Sequence, residues 1–389
     1  MNSPKTTVSN IVFLTLIVAC GTFRPLQWII TTWVLSTTNA SVGDFSMARL
    51  TGELARAGAW HMIYDSNQYI VQYRHLYGAG TNSDPYLYPP SLILLVTPFS
   101  YLPIELGYFL WIFAGFLALA GALRCAGASW VTVIITLASP PVLYNALLGQ
   151  NGTYTASLFI GALTLTCARP ASAGGLAALL TIKPHLGVLL PIAWLCERRW
   201  VSIVTAVIGI ILFISMSALV FGMVSWRTFF TLAVPQMHAI LDAPFPQGYQ
   251  ASAISVFVML RAVGASVAAT KAGQLAAAIG ACIATARIWT SKTPQQIKLI
   301  LTLLLALLAT PYGYVYDMVG YAAALALILQ RWGISPAWAL FWLWPAYERD
   351  VTSNFRAPVT PLVILALVGF VWYLHHQTKD SECLLSKPI

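Results

Sequence analysis

Charge is what this chain most lacks. Only 8% of its 389 residues are Asp, Glu, Lys or Arg, against 58% apolar residues, more greasy surface than a water-soluble fold of this length can hide. A soluble protein is excluded. Acidic residues are scarcer than basic ones, 12 against 21, but the cations stand mostly singly at the ends of apolar runs, where they orient a chain in a bilayer. No nucleic-acid partner is expected. Cys20, Cys125, Cys167, Cys196, Cys282 and Cys383 lie mostly in or beside apolar runs without paired spacing, which points to small core residues rather than a disulfide or metal framework. Also missing are a small-x-small cleavage site after the first apolar segment, any stretch long enough for a separate soluble domain, and any internal repeat. One membrane domain over 1–389 is expected, with an uncleaved first anchor.

What is present is a series of uncharged runs: 8–23, 103–123, 128–148, 152–168, 201–222, 272–286, 297–309, 318–330, 334–346 and 358–374. Several fall short of the ~20 residues a perpendicular spanning helix needs, so the expected fold is an all-α polytopic membrane protein, a bundle of about ten transmembrane or re-entrant helices. Gathering the basic residues inside, with the N-terminus, makes 40–87 a large first extracytoplasmic loop and 375–389 a cytoplasmic tail. Arg261 and Lys271 then fall outside, against the trend. Between Arg169 and Arg198 the chain is too short for two crossings, and Pro184 interrupts its middle. A hairpin that enters and turns at 183–185 is expected.

Each polar motif has a plain reading and a chemical one. In ALLTIKPHLGVLLPIAWL, 178–195, Lys183 could snorkel and His185 could be structural, or the two could hold an anion. Asp44, in GDF, is either an N-cap or a general base at the membrane surface. Asp65 reads as a helix stop. DPYLYPPSLILL, 84–95, combines first-turn prolines with the interface tyrosines Tyr86 and Tyr88, which could also shape a groove for a lipid or stack on a sugar ring. LLGQNGTYTA, 147–156, is a turn, although Gln150 and Asn151 suit sugar hydroxyls. ATPYGYVYDMVGY, 309–321, sets Tyr312 and Tyr316 around Asp317, which either caps a helix or walls a polar pocket.

In order and spacing, GDF, YPP, GQNG, KPH and TPYGYVYD resemble glycosyltransferase family 87, membrane enzymes of the GT-C superfamily, from about residue 40 to about residue 330. The resemblance implies a GT-C-type bundle in the plasma (inner) membrane that takes mannose, or another hexose or pentose, from a polyprenyl-phosphate donor. The sugar would pass to a lipid or glycan acceptor on the extracytoplasmic side, with inversion and with Asp44 as base. Lys183 and His185 would bind the donor phosphate, and Tyr88, Gln150, Asn151, Tyr312, Tyr316 and Asp317 would bind substrate. No cofactor or metal is expected, since Asp44 has no acidic neighbour in sequence. A transporter or lipid flippase is the rival, because buried charges and broken helices also mark substrate pathways; a non-catalytic assembly subunit is a third reading.

Overall fold

A computed structural model of the protein describes residues 8–29, 43–78 and 84–385. Among these residues the chain is built of helices, with no strand. Five helices are long and apolar enough to cross a membrane: Asn10–Gln27, Ile104–Cys125, Trp200–Phe221, Val267–Thr290 and Thr360–Gln377. The pair Trp130–Leu137 and Pro140–Leu148, bent by 55°, makes a sixth if counted as one span. Support therefore extends to five or six spans rather than the expected total of about ten. Several of the other apolar runs form helices too short to cross: Pro170–Ile182, Pro184–Cys196 and Gln295–Ala309. Apolar sequence marks burial, and protein buries as well as lipid does. Every residue of Ile297–Ala309 and of Val319–Ile328 is buried, the all-round apolar pattern of a central core helix.

Lys183 is extended, at φ −148° and ψ 70°, because the following proline ring disfavours helical backbone before it. The chain then doubles back. Trp194 Nε1 donates to Thr166 Oγ1 at 2.9 Å, Ser202 Oγ to the Pro170 carbonyl at 3.0 Å, and Arg199 Nη2 to Cys167 Sγ at 3.1 Å. The expected hairpin is therefore present, with its feet tied together and Lys183 at its tip. At the feet, Glu197 accepts from Arg199 at 3.0 Å and from Lys298 at 2.9 Å. Gly152–Thr164 and Gln295–Ala309 both run between this basic end and the end that holds the hairpin tip. The off-trend cations have local partners: Lys271 pairs with Asp242 at 2.7 Å, and Arg261 donates to the Ala265 carbonyl at 2.9 Å.

Within the expected first loop, residues 43–78 form three helices, Asp44–Arg56, Trp60–Tyr64 and Ser66–Tyr77; 40–42 and 79–83 lie outside the described residues. Asp65 ends one helix and caps the next, accepting from the Asn67 and Gln68 N–H groups at 3.1 Å. The final helix, Thr360–Leu385, continues through most of the expected tail, and 386–389 lie outside the described residues.

The hairpin packs on Trp200–Phe221 through Gly174, where an added Cβ would stand 1.9 Å from Thr205 Oγ1 and 2.5 Å from the Ser202 carbonyl oxygen. Gly174→Val should lower the stability of the detergent-solubilised protein by about 1–3 kcal/mol or more in thermal unfolding. Gly175→Ala, whose Cβ meets nothing within 4 Å, should leave it unchanged; equal behaviour of the two variants would refute this packing.

Candidate active site

The tip of the hairpin, the GDF turn and the loops at 149–152 and 310–317 meet at one end of the bundle, and their backbones approach closely. Gly149 closes the helix Pro140–Leu148 in the left-handed region, at φ 66°, as helix ends favour; a Cβ there would fall 2.5 Å from Phe45 Cβ. A Cβ at Gly152 would fall 2.2 Å from the Tyr316 carbonyl oxygen. Side chains larger than hydrogen would push the GDF turn and the 310–317 loop off the 149–152 loop. Asn145 braces the loop: in the amide orientation that satisfies both its ends, it accepts from the Gly152 N–H at 2.7 Å and donates to the Gln150 carbonyl at 3.2 Å.

Asp44 is the first residue of its helix, and its carboxylate does not cap that helix; the N-cap is Gly43. Instead Asp44 Oδ2 accepts from the Gln150 side-chain amide. Gln150 Oε1 in turn accepts from the Tyr88 hydroxyl at 3.0 Å. Lys183 Nζ lies 5.7 Å from the Tyr88 ring centroid and 5.0 Å from that of Tyr316, within cation–π reach of both. It also donates to Asp317 Oδ1 at 2.5 Å, and both partners are buried. Asp317 Oδ2 accepts from the Tyr314 N–H at 3.2 Å, so Asp317 combines the capping and pocket readings. The rings of His185 and Tyr312 lie side by side, with centroids 5.9 Å apart.

Enclosure of Asp44 by protein pushes its carboxyl up to about 6; the Gln150 hydrogen bond and the Lys183 charge oppose the rise, and the nearby Asp84 carboxyl adds to it. Asp84 is itself held above the usual carboxylate range by burial. A carboxyl near 6 is ionised at neutral pH yet still basic enough to take a proton. Three shielded polar atoms of this region, Tyr86 Oη, Asn151 Oδ1 and His185 Nε2, have no hydrogen-bond partner among the described residues. Buried polar atoms rarely stay unpaired in a finished core. Among the described residues no three His, Cys, Asp or Glu side chains gather as a metal site.

The tertiary contacts thus bring together Asp44, Tyr88, Gln150, Asn151, Lys183, His185, Tyr312, Tyr316 and Asp317. Sequence reasoning missed Asn145 and Asp84 as members of this group, and missed that Asp317 is the counter-ion of Lys183. The neighbouring YPP motif was the signal available for Asp84; for Asn145, inside an apolar helix, its polarity was the only one.

No curated protein and no solved structure matches the chain. The model of glycosyltransferase family 87 matches residues 86–311, more than half of the chain, a region that carries Tyr88, Gln150, Asn151, Lys183 and His185. With its several apolar helices long enough to span a bilayer, the chain belongs to glycosyltransferase family 87 of the GT-C superfamily and is a membrane enzyme that transfers sugar.

Proposed function

We propose that this enzyme moves a hexose or pentose, mannose being one candidate, from a polyprenyl phosphate to a hydroxyl of a lipid or glycan acceptor. The acceptor oxygen attacks the anomeric carbon as the carbon–oxygen bond to phosphate breaks, with inversion. The hydroxyl proton passes to Asp44, and the bonding pair leaves on the phosphate oxygen. One carboxylate suffices, because the acceptor itself is the nucleophile. The departing lipid phosphate needs charge stabilisation more than a proton, and the Lys183 ammonium, with N–H groups beyond the one given to Asp317, supplies it beside His185. Tyr88, Gln150, Asn151, Tyr312 and Tyr316 contact the sugar or acceptor. The basic end faces the cytoplasm, which sets the cluster on the extracytoplasmic face of the plasma membrane.

What supports this reading is the route Asp44–Gln150–Tyr88, which puts a carboxylate and the Lys183 ammonium in one cluster of side chains. The direct test incubates purified protein with polyprenyl-phosphate sugars and a membrane lipid extract and follows acceptor mass; a gain of one pentose or hexose is expected, and no product from any donor removes the proposal.

Asp44→Asn should cut turnover by roughly 10²–10⁴-fold without impairing membrane insertion. Because the ionised carboxylate is the active form and its pKa is raised to about 6, kcat/KM should fall about tenfold per pH unit below that value and level off above it. A wild-type profile flat from about pH 5 to about pH 7 contradicts Asp44 as base.

Lys183→Ala should lower turnover by roughly 10²–10³-fold and, by stranding a buried carboxylate, cost roughly 3–5 kcal/mol of stability. Adding Asp317→Asn should restore much of that stability in thermal unfolding but none of the transfer. Recovery of both together would reduce Lys183 to a structural residue.

A further inference from the structure

An open cleft of about 540 Å³ runs along the seam between the first arm of the hairpin and the helix Trp200–Phe221, away from the site described above. The two helices touch at small residues: an added Cβ at Gly209 would lie 2.7 Å from Ala178 Cβ. Outside that line of contact the surface falls inward at Gly175, where an added Cβ would meet nothing within 4 Å. Leu212 and Met216, on the other wall, are 63% and 47% exposed on a helix long and apolar enough to span the bilayer. The cleft therefore opens toward lipid. Its volume lies within the ~300–1,000 Å³ of ordinary ligand pockets.

One end of this apolar cleft is cationic. Arg169 lines it together with Ser172, and the Arg169 guanidinium has no hydrogen-bond, ion-pair or ring partner among the described residues. Its neighbour Arg199 is already committed to Glu197 at 3.0 Å. An unpaired guanidinium at the mouth of a greasy slot matches a ligand with one anionic group and an attached hydrocarbon chain. Arg169 stands at the hairpin foot and Lys183 at its tip, roughly 20 Å apart at the helical rise. One phosphate cannot serve both.

We propose that this cleft binds an anionic glycerophospholipid, its phosphate on Arg169 and one acyl chain along Gly175, Leu212 and Phe213. The lipid fills the groove between the hairpin and Trp200–Phe221 and so clamps the element that carries Lys183. The occupant is distinct from the donor, whose phosphate is assigned to the other end of the hairpin.

Native mass spectrometry of the whole protein, titrated with phosphatidylglycerol or phosphatidylcholine, tests this. Wild type should retain phosphatidylglycerol at least about fivefold over phosphatidylcholine, about 1 kcal/mol by the affinity relation. Arg169→Gln, a change at an exposed position, should bring the two lipids to equality, and Gly175→Leu should reduce retention of both. An unchanged preference in Arg169→Gln, or no preference in wild type, overturns the proposal. Displacement of bound phosphatidylglycerol by added polyprenyl phosphate also overturns it, by assigning the cleft to the donor's own tail.

Discussion

The Lys183–Asp317 ion pair is the constraint around which the rest of this protein is arranged. A lysine at the tip of an apolar hairpin cannot stay charged alone in a low-dielectric interior. Asp317, at the head of the core helix Val319–Trp332, meets it at 2.5 Å and is itself steadied by the Tyr314 N–H. The pair anchors the tip to the head of a deeply buried helix. Stability alone does not ask for it, since a well-packed apolar pair of similar size often serves as well. Under the proposed mechanism the leaving group is an anion, which has a use for a fixed cation, and a cation with a permanent partner is already oriented when substrate arrives.

Around the pair, the polar cluster is assembled by backbone contact. Glycines at 149 and 152 let the turn at 43–45 and the loop at 310–317 close on one short segment, and side chains then find partners far away in the chain. This crowding explains why the Asp44 carboxylate is not spent on its own helix: Gly43 takes the cap position, so the carboxylate turns to Gln150 instead. Enclosure raises its basicity, while Gln150 and the distant charge of Lys183 keep the rise moderate.

The same helices give the bundle two chemically different ends. One holds the polar cluster with its carboxylates and tyrosines; the other holds Arg169, Arg199 and Lys298, with Glu197 between the last two. The hairpin spans that polarity within a single element, its feet in the basic end and its tip in the cluster. Phospholipid at the foot and sugar donor at the tip would therefore act on opposite ends of one short structure.

Sequence by itself determined the class of protein, the broken hairpin at Pro184 and the identity of the polar residues, because hydropathy, proline geometry and the rarity of buried charge are local properties that need no partner to be read. It could not separate lipid-facing from core helices: Gln295–Ala309 and Trp200–Phe221 are both apolar runs, yet one is enclosed by protein and the other presents Leu212 and Leu219 outward. Only the tertiary structure decided which polar residues meet. Asp44 and Gln150, or Lys183 and Asp317, are more than a hundred residues apart, and a pairing at that separation is set by how whole helices pack, which short-range patterns do not encode. The same holds for Asp317, legible as a helix cap and yet also a counter-ion, because the partner that changed its meaning came from another part of the chain.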